Sequence, residues 1–166
     1  ANRIKSMKVS IFSQTEQTLN RRNTLEIYTD IEISAKAEKV WNILTNLNDY
    51  SNWNPFLVKA EGTIQKGAKI TIHVQPPGLK RMVFNPTIVK NEENQTLVWE
   101  GKFILPGIFD GEHTFIIEKL GSEGVRLIQK ETYVGLLIPL MAKKLNQNTR
   151  SGFELMNQAL KKLAES

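Results

Sequence analysis

The chain has 166 residues, of which 40% are hydrophobic and 23% are charged, a composition typical of one soluble globular domain. It contains no cysteine, which excludes disulfide bonds, thiolate catalysis and cysteine-ligated metals and fits a reducing, cytoplasmic compartment. The net charge of +5 is spread along the chain without a dense basic run, so nucleic acid is not an expected partner.

The first 23 residues are predicted to be an extension that precedes the domain. Residues 13–16 read SQTE, which matches a capping box, so a short helix through Leu19 is one interpretation of this segment. No apolar segment of signal-peptide type begins the chain. We therefore predict a single ligand-binding domain over residues 24–166.

The domain is predicted to begin with a strand and short helices. Residues 24–34 alternate between apolar and polar side chains, as expected for a strand with one face in water. The following AKAEKVWNILTNL carries apolar residues at helical spacing after Ser34, a suitable N-cap. The turn-rich NDYSNWNPF (48–56) ends this helix, and Asn54 is expected to be extended because proline follows it.

The rest of the chain predicts strands followed by one long helix. About six further strands up to residue 136 are joined by short turns, which favour antiparallel neighbours. From residue 138, apolar residues recur at three- and four-residue steps over about 25 residues, with Pro139 near the start. No apolar run reaches the roughly 20 residues of a membrane helix, so stable membrane insertion is not expected.

These elements predict an α+β protein. We expect a curved antiparallel β-sheet of about seven strands, with short helices after the first strand. The long C-terminal helix is expected to pack across the concave face of the sheet, because a sheet with one apolar face must cover it. A curved sheet around one helix need not close fully, and the gap is a natural place for a cavity.

Four segments resemble the START-like helix-grip superfamily, also called SRPBCC, which includes polyketide cyclase/dehydrase-like proteins and the birch-pollen allergen group. They are AEKVWNILTNLNDYSNWNPF (37–56), LVWEGKFILPGIFDGEHTF (97–115), LIQKETYVGLL (127–137) and RSGFELMNQALKK (150–162). The resemblance covers about residues 24–163. It implies a deep, mostly apolar pocket between the sheet and the C-terminal helix, and no fixed catalytic residue.

The strand FDGEHTFIIE (109–118) places a histidine among aromatic residues. If charged neighbours on the same strands face water, alternation turns His113, Gln129, Glu131 and Tyr133 toward the concave side. The residues predicted to line a pocket are Trp53, Phe56, Trp99, Phe103, Phe109, His113, Phe115, Gln129, Glu131, Tyr133, Met141, Leu145 and Met156. The polar members can orient a ligand, act as acid and base, or only hydrogen-bond to one another.

The expected function is binding of a small hydrophobic or amphipathic molecule, in transport or sequestration. Two alternatives stay open: a cyclase- or dehydratase-like enzyme that uses His113 or Glu131 as acid or base, and a protein-interaction or co-chaperone module. His73 and His113 are predicted on different faces, so no metal site is expected, and no phosphate loop or other cofactor motif occurs. The sequence does not distinguish a monomer from a weak dimer.

Overall fold

A computed structural model describes residues 23–102 and 107–166. The helix predicted before Leu19 and the predicted pocket residue Phe103 lie outside the described residues. The elements in chain order are β1 (Thr24–Ile33), α1 (Ala37–Thr45), a 3-10 turn (Leu47–Asp49), α2 (Tyr50–Trp53), β2 (Leu57–Glu61), β3 (Thr71–Val74), β4 (Met82–Phe84), β5 (Thr87–Glu92), β6 (Thr96–Lys102), β7 (Asp110–Lys119), β8 (Val125–Val134) and α3 (Ile138–Ala164).

The strands form the antiparallel curved sheet that the sequence predicts. Five of them are ordered β1-β8-β7-β6-β5, and a smaller sheet is ordered β2-β3-β4. Backbone hydrogen bonds join the two, from Ile88 N to Ala68 O at 2.9 Å and from Ile70 N to Pro86 O at 3.0 Å. The described residues form eight strands rather than about seven, because the segment predicted as one strand is divided before Pro86, which has no N–H to donate.

Helix α3 crosses the concave face, but its two halves pack differently. The second half is buried at Thr149, Gly152, Phe153, Met156, Asn157, Leu160 and Ala164. Its C-terminal end is held to β1 and the following loop, since Lys161 Nζ donates to Glu32 O at 2.6 Å and Ser34 N donates to Glu165 Oε1 at 2.7 Å. Ile138 is the one buried residue among 138–148, so the first half leaves space above the sheet.

Close packing fixes the level at which α3 meets the sheet. Gly152 lies directly on the ring of Phe56, and a Cβ atom added to Gly152 would overlap that ring. Phe56 also packs edge to face with Phe153, with ring centroids 5.8 Å apart. Within the described residues, no helix combines the length and the apolar character needed to cross a membrane.

Candidate functional site

A cavity of about 510 Å³ lies between the concave sheet and the first half of α3. Gly101 on β6 and Gly111 on β7 are paired in register and both line it. Because neither glycine carries a side chain, the cavity reaches the backbone of the sheet at this level. The small sheet closes the opposite side with Ile72, Val74 and Phe84.

Eight residues that the sequence predicts for a pocket lie in the cavity wall. They are Phe56, Trp99, Phe109, His113, Glu131, Tyr133, Met141 and Leu145. Four other predicted residues are displaced from the wall. Phe115, Gln129 and Met156 are 0% exposed. Gln129 is covered by Phe153 and Asn157 of α3, Met156 lies on the buried side of that helix, and the ring of Phe115 packs against those of His113 and Trp99. Trp53 packs edge to face against Tyr50 with centroids 5.2 Å apart. The space is therefore confined to one end of the concave face.

The wall also contains residues that the prediction missed. From the small sheet and its loops these are Leu57, Ile72, Val74, Pro76, Leu79, Met82, Phe84 and Pro86, and from α3 they are Leu140, Lys144, Asn148, Thr149 and Phe153. Alternation in AKITIHVQ already places Ile72 and Val74 on one face, so this signal was available. The loop residues carry no comparable pattern.

His113 is the first member of a buried chain of hydrogen bonds. Its Nε2 lies 3.0 Å from Gln129 Oε1. Gln129 Nε2 donates to Asn157 Oδ1 at 2.7 Å, and Asn157 Nδ2 donates to Thr29 Oγ1 at 3.1 Å. Because both amides are oriented by these contacts, Gln129 presents its oxygen to the histidine. His113 therefore carries its proton on Nε2 and leaves the Nδ1 lone pair free to accept.

His113 and Glu131 face each other across β7 and β8, where they are paired in register. Burial lowers the pKa of His113 to about 3, against the opposing effect of the hydrogen bond to Gln129. Burial, reinforced by the negative charge of Glu112, raises the pKa of Glu131 well above its usual value. Because the imidazole is neutral near pH 7, the 3.6 Å approach of His113 Nδ1 to Glu131 Oε2 is not an ion pair, and burial favours the protonated form of the carboxyl.

The aromatic and hydroxyl groups around this pair are also fixed. The His113 ring stacks on Phe115 and Phe153, with centroids 4.1 and 4.6 Å away. Tyr133 OH lies 3.0 Å from Thr149 Oγ1, which ties β8 to α3, and burial raises the pKa of Tyr133. Over residues 23–102 and 107–166 there is no group of three or more His, Asp or Glu side chains arranged to hold a metal.

Residues 24–165 match the family model described as polyketide cyclase / dehydrase and lipid transport. No curated protein sequence gives a significant match. The Zhui aromatase/cyclase from a Streptomyces species is similar in structure, with a TM-score of 0.71 and 17% identity over 86% of this chain and 94% of that chain.

Two further solved structures share the arrangement of strands and helices. A START superfamily protein from Mycobacterium smegmatis has a TM-score of 0.66 and 23% identity, over 84% of this chain and 97% of that chain. Norcoclaurine synthase from Thalictrum flavum, in complex with dopamine and hydroxybenzaldehyde, has a TM-score of 0.64 and 14% identity, over 84% and 86% of the two chains. At these identities the likeness shows a common fold.

Proposed function

The chain belongs to the polyketide cyclase / dehydrase and lipid transport family, and from that premise we propose that its cavity binds a small hydrophobic or amphipathic molecule. The observation that carries the proposal is the cavity itself. Its volume of about 510 Å³ is within the range of roughly 300–1,000 Å³ that is usual for ligand pockets. Its wall is mostly apolar, with a few polar side chains that include His113, Glu131 and Tyr133.

Burial of the ligand's apolar surface supplies the driving force. Removing about 200 Å² of apolar surface from water contributes about 5 kcal/mol before the cost of association is subtracted. The hydrogen-bonded chain from His113 to Thr29 holds the polar end of the wall in place before a ligand arrives. A preformed wall lowers the entropy lost on binding.

Filling the cavity with a side chain is expected to abolish this binding. Gly101→Phe places a ring in the space that the paired glycines leave open. We expect native mass spectrometry of freshly purified protein to detect bound small molecules in the wild type and none in this variant. Ligands recovered from the wild type should raise its melting temperature and leave that of the variant unchanged. Glu100→Phe is the matched control, because Glu100 is exposed on the opposite face of the same strand. If Gly101→Phe and Glu100→Phe retained the same amount of bound ligand, the proposal would be refuted.

A cyclase or dehydratase activity is the second candidate, and the His113–Glu131 pair favours it. His113 Nδ1 can take a proton from the carbon beside a ligand carbonyl while the protonated carboxyl of Glu131 donates a proton to the carbonyl oxygen. The two groups are 3.6 Å apart on the cavity wall. The low pKa of His113 makes it a weak base, and for this reason we propose ligand binding ahead of catalysis.

Deuterium exchange tests this second candidate directly. With dodecan-2-one as an enolisable probe in D₂O, NMR should show loss of the protons beside the carbonyl. The exchange rate should fall about 100-fold in Glu131→Gln, the usual scale for losing an acid–base group. A probe that binds the wild type without any acceleration of exchange would leave binding alone as the function.

A further inference from the structure

Glu131 and Lys144 are two polar side chains on the cavity wall that make no hydrogen bond with a described residue, although Glu131 Oε2 lies 3.6 Å from His113 Nδ1. Glu131 is only 6% exposed, yet neither of its carboxyl oxygens makes a hydrogen bond within the described part of the chain. Lys144 reaches the wall from the first half of α3, and its Nζ makes no ion pair there with any described residue. A buried polar group normally has a partner, so the carboxyl of Glu131 is available to a ligand. The exposed ammonium of Lys144 at the edge of the wall is free to pair with a charged group of the same ligand.

The two groups are at different levels of the cavity. Strand β8 and helix α3 run in opposite directions, since Gln129 contacts Asn157 and Tyr133 contacts Thr149. Glu131, midway between the two strand positions, is therefore level with about residue 153 of the helix.

The contact between the His113 and Phe153 rings, with centroids 4.6 Å apart, supports this level, because His113 is the register partner of Glu131. Lys144 precedes Phe153 by nine residues. At 1.5 Å per residue the separation along the helix axis is about 14 Å.

Each end suits a different chemical group. A protonated carboxyl at Glu131 both donates and accepts a hydrogen bond, so it can pair with a hydroxyl or carbonyl oxygen. It disfavours a carboxylate, which would be buried beside it with no Lys or Arg among the described residues at that end of the wall. An ammonium group at Lys144, close to solvent, suits a carboxylate or another anion.

We propose that the ligand is an amphiphile with two polar ends, an uncharged oxygen bound by Glu131 and an acidic group bound by Lys144, whose backbone lies about 14 Å along α3 from the level of Glu131. This proposal rests on the ligand-binding function proposed above and names its ligand class. An extended alkyl chain, with bonds of about 1.5 Å that each advance it by roughly 1.3 Å, covers this distance in about 11 bonds. A hydroxy fatty acid of twelve carbons is therefore a suitable probe.

Three probes and four variants test the two ends separately. Calorimetric titration with ω-hydroxydodecanoic acid, dodecanoic acid and dodecan-1-ol should give the hydroxy acid the lowest Kd, by about tenfold, because only it satisfies both ends. Lys144→Met should weaken both acids about fivefold and leave the alcohol unchanged. Lys143→Met is the matched control, because Lys143 is exposed as Lys144 is but does not line the cavity.

The other end is tested by Glu131→Met, which removes the hydrogen-bonding groups while keeping the length of the side chain. It should weaken the hydroxy acid about tenfold and leave dodecanoic acid unchanged. Glu131→Gln, which still donates and accepts, should retain the preference for the hydroxyl group. Circular dichroism melts of all variants check that the fold is intact.

Three results would overturn the proposal. The first is that Lys143→Met weakens the acids as much as Lys144→Met does, since the effect would then be general surface charge. The second is that all three probes bind equally and no variant changes them, which would leave an unselective cavity and keep the proposed binding function. The third is that no probe binds the wild type, which would count against the binding function as well.

Discussion

Gly152→Leu is expected to lower the free energy of unfolding by about 3 kcal/mol, the upper end of the usual cost of overpacking. The side chain would enter the ring of Phe56, which is itself buried in the core. Helix propensity predicts the opposite sign, because glycine is about 1 kcal/mol worse than most residues inside a helix. Urea unfolding monitored by circular dichroism gives the difference.

A double-mutant cycle identifies the cause of this loss. In a Phe56→Ala background the space beneath Gly152 is open, so Gly152→Leu should cost less than about 1 kcal/mol there. Glu154→Leu is the control for adding the same side chain to an exposed position of α3, and it should change stability by no more than about 0.5 kcal/mol. An equal cost for Gly152→Leu in both backgrounds would show that Phe56 is not the obstacle.

Stability is expected to be highest in mildly acidic solution and to fall on both sides. The pKa of His113 is lowered from 6.5 to about 3, so below pH 6.5 the unfolded chain takes up a proton that the folded protein refuses. The pKa of Glu131 is raised above 4.5, so above pH 4.5 the folded protein keeps a proton that the unfolded chain releases. Each effect changes the free energy of unfolding by about 1.4 kcal/mol per pH unit.

Between pH 4.5 and 6.5 the effect of His113 raises the free energy of unfolding with increasing pH and the effect of Glu131 lowers it. The two effects cancel for as long as Glu131 holds its proton in the folded protein. Below this window the loss due to His113 remains, and the loss due to Glu131 continues upward until the pH reaches the raised pKa of its carboxyl in the folded protein. Glu131→Gln should therefore remove the alkaline loss and extend the acid loss upward to pH 6.5. Unfolding free energies measured across the pH range check this, with the exposed Glu100→Gln as control. An alkaline loss that survives in Glu131→Gln would contradict the assignment.

The faces of the central strands could be predicted because burying a charge is costly. Glu112 and Glu118 are exposed on β7, and alternation from them places His113 on the buried face, as the structure has it. The same reasoning on β8 places Gln129 and Glu131 inside. These positions depend only on residues close in sequence, which is where a pattern is informative.

The extent of the cavity could not be predicted in this way. Phe115 and Gln129 share a face with His113, yet both are 0% exposed, because α3 covers Gln129 and the rings of His113 and Trp99 pack on Phe115. Which part of the sheet the helix covers is set by the contact between Phe56 and Gly152, residues that are far apart in sequence. The apolar spacing also does not fix which side of α3 faces the sheet, because Leu160 and Ala164 are buried whereas the neighbouring apolar residues Ala159 and Leu163 are half-buried.

The division of α3 into a packed half and a cavity-lining half has a consequence for how the protein can diverge. Substitutions at partly exposed positions away from the core usually change stability by no more than about 0.5 kcal/mol. Most of the residues that α3 contributes to the cavity, such as Leu140, Met141 and Lys144, are of this kind, whereas Thr149 to Ala164 hold the sheet and the helix together. Residues in the ligand-contacting turns of α3 can therefore be substituted during evolution with little loss of stability. One stable scaffold can in this way acquire new ligand preferences.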